Sequence, residues 1–200
     1  MQTLKGDPLP EIDATVPVNL VEPEATRAMG TSKHNPTLHF LCGKLASGKT
    51  TLAKQLAEDA GAVLFSEDLW LSKLFPGEIV NFSDYLSRSA RFRAAIEPYV
   101  RTLLDRGISV VFDFAGNGLK ERAWARSLCD TQRASVVLHY IMASDELCKS
   151  RLRRRNDQRP EGSQVTTEAE FDAITKYFSP PDSAEGFEVK EYDAESLLSL

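Results

Sequence analysis

The chain has 200 residues, a net charge of -5, 42% hydrophobic and 26% charged residues. These values fit one globular domain with a real core, and they exclude a disordered, fibrous or disulfide-scaffold chain. The mildly acidic balance argues against a protein that coats nucleic acid.

Residues 1–36 hold Pro8, Pro10, Pro17, Pro23 and Pro36 and no aromatic residue. A segment with so little apolar surface to bury reads as an extended or disordered arm. Ile12, Val16, Val18, Leu20 and Val21 leave a second reading open, a tail that docks on a protein partner. From residue 37 to 200 the chain reads as one domain. Thr37–Cys42 is a short apolar strand, and Lys49–Ala60 has helical apolar spacing that Gly61 ends. Ala62–Ser66 is a second strand. A helix capped by Ser83 runs to about Arg106, with Pro98 expected to kink or divide it. Ile108–Phe114 is a third strand, Leu119–Thr131 a helix and Ser135–Ala143 a fourth strand. Ser144 caps a helix carrying Glu146–Asn156, and Asn156–Thr166 is polar and reads as a lid. Thr167 and Glu170 have capping-box spacing before a helix to about Phe178, and Phe187–Tyr192 is a last strand. The alternation predicts an α/β three-layer sandwich, a five-stranded parallel sheet with helices on both faces.

Gly43-Lys44-Leu45-Ala46-Ser47-Gly48-Lys49-Thr50 fits G-x-x-x-x-G-K-[ST], with Thr51 following. It lies between a strand and a helix, as a phosphate-binding loop must. Gly43 and Gly48 let backbone N–H groups turn toward phosphates, and the helix start adds its positive end. Lys49 reaches the β- and γ-phosphates of ATP, and Thr50 offers a hydroxyl to magnesium. Asp113, ending an apolar strand, suits a magnesium-facing carboxylate, or else caps a turn. Asp68 follows the second strand as Ser66-Glu67-Asp68. Asp68 there faces the acceptor, with Glu67 the runner-up, or the trio only caps the next turn. Asn117 and Arg122 follow Asp113 closely and are candidate substrate contacts. Arg151, Arg153, Arg154, Arg155 and Arg159 cluster, with Arg151 and Arg155 on one helix face. They read as phosphate and adenine contacts, with an RNA or DNA backbone as the alternative ligand. Trp70, Phe75, Tyr85, Phe92 and Tyr99 read as core, or as an acceptor pocket. The three histidines read as structural.

Cys42, Cys129 and Cys148 are odd in number and widely spaced, so reduced thiols in a cytoplasmic protein are expected. No apolar run reaches the roughly 18 residues of a membrane span.

With GKLASGKTTLAKQLA at 43–57, SED at 66–68, VVFDFAGN at 110–117 with Arg122, and ELCKSRLRRRN at 146–156, the chain resembles the small P-loop kinases over about residues 37–193. That group includes chloramphenicol phosphotransferase, zeta toxins, gluconate kinase and the kinase domain of polynucleotide kinase. Within it the chain is most similar to members labelled AAA-family ATPases. The resemblance implies a P-loop NTPase sheet like that of adenylate kinase and ATP as donor. It also implies Asp68 as the acceptor-side carboxylate, Asp113 near magnesium, and Arg151 and Arg155 as nucleotide and lid arginines. Two positions depart from the pattern. Leu71 stands where polynucleotide kinase-like members carry arginine, which weighs against a 5′-hydroxyl nucleic-acid substrate, and Lys44 stands where small residues are common. The expected activity is transfer of the γ-phosphate to a hydroxyl of a small molecule.

Overall fold

A computed structural model describes residues 35–129, 134–161 and 165–196. Apart from Asn35 and Pro36, the expected arm lies outside the described residues, as do positions 162–164 of the expected lid.

The five strands are β1 Thr37–Cys42, β2 Val63–Ser66, β3 Val110–Asp113, β4 Ser135–Met142 and β5 Glu188–Asp193. They form one sheet in the order β2-β3-β1-β4-β5, and all four pairings are parallel. The helices are α1 Lys49–Ala60, α2 Glu67–Leu74, α3 Phe82–Asp105, α4 Leu119–Ser127, α5 Asp145–Gln158 and α6 Glu168–Thr175. Alternation along the strands divides the apolar residues between two faces. Leu38, Phe40, Cys42 and Phe112 join Phe92, Ile96, Val100 and Leu104 of α3 in one core. Leu41, Val111 and Ile141 join Leu52 and Ala53 of α1 in another. This is the three-layer α/β sandwich expected.

Strand β1 sits between β3 and β4, so the chain leaves it in opposite directions on its two sides. The resulting crevice at the carboxyl ends of β1 and β3 is where ligands bind in such sheets. Register pairs Ser66 with Asp113, which places the ends of β2 and β3 side by side at that crevice.

Four local readings are corrected. The segment after β2 is a helix, α2, with Ser66 at its N-cap and Glu67 and Asp68 in its first turn. Helix α3 starts one residue before Ser83, capped by Asn81, whose side chain accepts from Asp84 N at 3.0 Å. It is not divided at Pro98. Proline forfeits one backbone hydrogen bond there, but Phe92, Ile96, Val100 and Leu104 are buried in a row along the same helix and hold it together. Helix α5 continues to Gln158, so Asn156 is helical. Its side chain donates to Thr166 O at 2.7 Å and accepts from Thr166 N at 3.3 Å, clamping the far end of the segment to the helix. The Thr167–Glu170 capping box is present, but α6 stops at Thr175.

His39, His139 and Tyr192 form a chain across β1, β4 and β5, with His139 fully buried and its two partners half-buried. His39 Nδ1 lies 2.9 Å from His139 Nε2, and His139 Nδ1 lies 2.8 Å from the Tyr192 hydroxyl. Burial, with His39 and Lys190 adding to it, pushes His139 from an ordinary 6.5 down to about 3. Below pH 6.5 the unfolded chain binds a proton that folded His139 refuses, so this site's stability is lost as pH falls from about 6.5 toward about 3. Between pH 6.5 and 5, the denaturation midpoint of His139→Gln is therefore expected to depend less on pH than that of the native chain. Parallel slopes for the two proteins would refute the assignment.

Candidate active site

The loop between β1 and α1 has the conformation its glycines permit. Gly43 has φ 154° and Gly48 has φ 114°. A Cβ on Gly43 would lie 2.7 Å from Ser47 Oγ and 2.9 Å from Ile141 O, so no larger residue fits. Helix α1 has no side-chain cap and no acidic residue in its first turn. Its positive end thus meets no carboxylate of its own and suits an anion. The Lys49 ammonium donates to Gly43 O at 2.7 Å and Lys44 O at 2.9 Å.

Side chains from three other elements brace the loop. Asn117, after β3, accepts from Gly43 N at 3.1 Å. Arg151 of α5 donates to Ser47 O at 2.6 Å and to Ala194 O at 2.7 Å. Lys44 forms an ion pair with Asp145 at 2.5 Å. That pair accounts for the unusual lysine, which ties the loop to the start of α5. Leu45 and Ala46 pack against Cys148, Leu152 and Phe171.

Thr50 Oγ1 donates to Asp113 Oδ1 at 3.2 Å, and Ser66 Oγ donates to Asp113 Oδ2 at 3.0 Å. A threonine hydroxyl, a carboxylate and a serine hydroxyl thus meet at the crevice floor. Burial raises Asp113 above the usual carboxylate value, against the pull of the Thr50 and Ser66 hydrogen bonds and of Lys49. Lys49 is lowered by burial, against the attraction of Asp113 and Asp68. Among the described residues no cluster of three or more His, Cys, Asp or Glu side chains could cage a metal. The donor set instead suits magnesium, which keeps water and takes further oxygens from a phosphate ligand.

Asp68 and Glu67 are adjacent in α2 but differ in surroundings. Glu67 is 1% exposed. Ser89 donates to it at 2.5 Å, Tyr85 at 3.0 Å, and Arg93 through Nε at 2.8 Å and Nη2 at 3.2 Å. Its lone pairs are taken, so it organises the α2–α3 junction. Asp68 has the Tyr85 hydroxyl at 3.3 Å. Asp68 is itself exposed at the cleft surface, but the cleft walls around it take away part of its solvent and, with the charges of Glu67 and Asp113, lift it from 3.8 to about 6. Arg155 of α5 acts on Asp68 electrostatically, its own value lowered by burial.

Lys49, Thr50, Thr51, Asp68, Asp113, Asn117, Arg151, Arg154 and Arg155 all line one cleft of about 1310 Å³. Arg122 does not. It is fully buried, with Nε and Nη2 on Glu185 at 2.6 and 2.8 Å and Nη1 on Gly116 O and Ser179 O at 3.1 and 2.9 Å. The expectation that it touches substrate is corrected: no face of its guanidinium reaches the cleft. Of the aromatics, Phe92 is core, Trp70 stacks on it, Tyr99 is exposed, and Tyr85 lines the cleft. Sequence reasoning passed over Phe82 and Tyr177, which also line it, and over Arg93, which lies 26 residues from Glu67 with no shared motif.

The fold and this loop define a P-loop NTPase, and the fold implies nucleotide binding. A family profile described as an AAA domain matches residues 38–181, and the chain belongs to that family. No curated protein sequence matches the chain. Among solved structures, a kinase candidate from Chloroflexus aurantiacus is 18% identical, with a TM-score of 0.66 over 84% of this chain and 91% of that one. Kti12 of Chaetomium thermophilum, in complex with ADP-AlF3, is 16% identical, with a TM-score of 0.60 over 78% and 88%. A gluconokinase from Sinorhizobium meliloti is 14% identical, with a TM-score of 0.54 over 81% and 85%. At these identities the likeness establishes the shared fold. No helix among the described residues is long and apolar enough to cross a membrane.

Proposed function

We propose that the protein transfers the γ-phosphate of ATP to the hydroxyl of a small molecule. The observation that carries this reading is Asp68. Its carboxylate stands open in the same cleft as the phosphate-binding loop and the Thr50–Asp113 pair, with the Tyr85 hydroxyl 3.3 Å away. A loop with a switch function alone would need no acceptor-side base. The gluconokinase neighbour supports phosphotransfer to an alcohol as a chemistry of this fold.

Lys49 and Arg155 hold and neutralise the phosphates, joined by backbone N–H groups at the start of α1. Arg151 positions the loop through Ser47 O. Thr50 and Asp113, the latter through water, would hold magnesium, which supplies charge neutralisation at the phosphate oxygens when bound. Asp68 orients the acceptor hydroxyl and takes its proton as the oxygen bonds to the γ-phosphorus. The bond from that phosphorus to the bridging oxygen breaks, and ADP leaves with the electron pair.

The test is isotope-traced transfer from ATP and magnesium to a panel of alcohols. Lys49→Ala should lower transfer about 10²–10³-fold, with the circular-dichroism spectrum unchanged. A fully active Lys49→Ala protein would sink the assignment.

A further inference from the structure

Resting on that reading, we infer that the acceptor is an uncharged alcohol carrying a flat ring, and not a phosphorylated compound or a bare polyol. The charges of the cleft are segregated. Its basic lining residues among those described are Lys49, Lys54, Arg151, Arg154 and Arg155, all on α1 and α5. The α2–α3 wall beside Asp68 contributes none. Of the basic side chains near it, Arg93 is held on buried Glu67, Arg88 on Glu78 and Lys73 on Glu161, and Arg91, exposed on α3, does not line the cleft. The position three residues after Asp68 is Leu71, 1% exposed and part of the core. An acceptor bearing a phosphate would find no arginine fork on this wall to replace its hydration, and would face the Asp68 carboxylate.

In place of cations the wall presents apolar surface. Phe82 stacks on Tyr85 at 6.4 Å with the planes 8° apart, and on Tyr177 at 6.4 Å and 26°. Phe82 is 44% and Tyr177 75% exposed. Large rings standing open in a cleft, with Val80 and Val165 beside them, gain by covering against an apolar, planar partner. Tyr85 connects the two features, because its ring stacks on Phe82 while its hydroxyl lies 3.3 Å from Asp68. A hydroxyl at Asp68 is therefore one side chain away from a ring lying on Phe82 and Tyr177. A bare polyol would leave these rings uncovered.

The test uses the whole chain with magnesium and a non-hydrolysable ATP analogue. Binding of thymidine, 2-phenylethanol, thymidine 3′-monophosphate and glucose is measured by ligand-observed NMR and calorimetry. Thymidine and its 3′-monophosphate share one ring and one 5′-hydroxyl and differ by the phosphate alone. The expected result is that an uncharged ring-bearing probe binds at least tenfold more tightly than either the 3′-monophosphate or glucose. That binding weakens at least tenfold in Tyr177→Ala and in Phe82→Ala, with the analogue's affinity measured alongside as the check on folding. Tighter binding of the 3′-monophosphate or of glucose overturns the inference. So does ring-probe binding indifferent to both variants, or no binding of either ring-bearing probe. Lys49-dependent transfer to glucose or to the 3′-monophosphate would remove this inference and leave phosphotransfer standing. Ring-probe binding with no transfer to any alcohol would do the reverse.

Discussion

Asp68→Asn is expected to lower phosphate transfer about 10²–10⁴-fold, the range for removing a positioned general base. ATP binding should survive, because the proposed role of Asp68 is toward the acceptor and not the nucleotide. Asparagine keeps the shape and can still accept from the Tyr85 hydroxyl, so the fold should be unaffected. The native protein adds a second signature. Only ionised Asp68 can take the acceptor's proton, and its raised value of about 6 places the titration within a measurable range. The rate should fall as pH drops through about 6, and the residual rate of Asp68→Asn should lack that inflection. Transfer within threefold of native, or an unchanged inflection, would move the base elsewhere. Glu67 separates from Asp68 in the same experiment. Glu67→Gln would weaken four hydrogen bonds from Ser89, Tyr85 and Arg93, so it should lower stability as well as rate.

The parts of the site legible in the sequence are those that neighbouring residues decide. The loop from Gly43 to Thr50 is set by its own glycines and by the strand and helix that flank it. Asp113 could be placed because Val110, Val111 and Phe112 form an apolar strand that points the chain toward the crevice, and parallel register then brings it to Ser66. Ser144 and Thr167 cap within three residues of themselves. What could not be read depends on partners far along the chain. Lys44 finds Asp145 101 positions away, Arg122 finds Glu185 63 away, and Phe82 stacks on Tyr177. Arg122 shows the difficulty most plainly. An arginine shortly after an aspartate that ends a strand at the crevice suits a phosphate as well as it suits a buried carboxylate, and only the fold brings Glu185 to it. Helix α2 was missed for a related reason: Ser-Glu-Asp opens a turn and a helix with the same chemistry.

Arg122→Ala is accordingly expected to cost stability before it costs chemistry. The guanidinium is fully buried and joins three segments: Gly116 beside the loop-bracing Asn117, Ser179 after α6, and Glu185. Truncation would strand the largely buried Glu185 carboxylate and two backbone carbonyls around a cavity. Breaking a buried pair by removing one partner costs about 3–5 kcal/mol, and chemical denaturation should show a loss of that order. Arg122→Lys should recover little of it, since a point charge cannot donate in two directions to Glu185 and still reach Gly116 O and Ser179 O. The pair also carries a pH dependence. Its hydrogen bonds from Arg122 hold Glu185 below the usual carboxylate value, so the contribution is present above about 4.5 and is lost as pH falls below it. Native and Arg122→Ala stabilities should therefore converge in acid. A variant within 1 kcal/mol of native at neutral pH, with transfer abolished, would return Arg122 to the substrate.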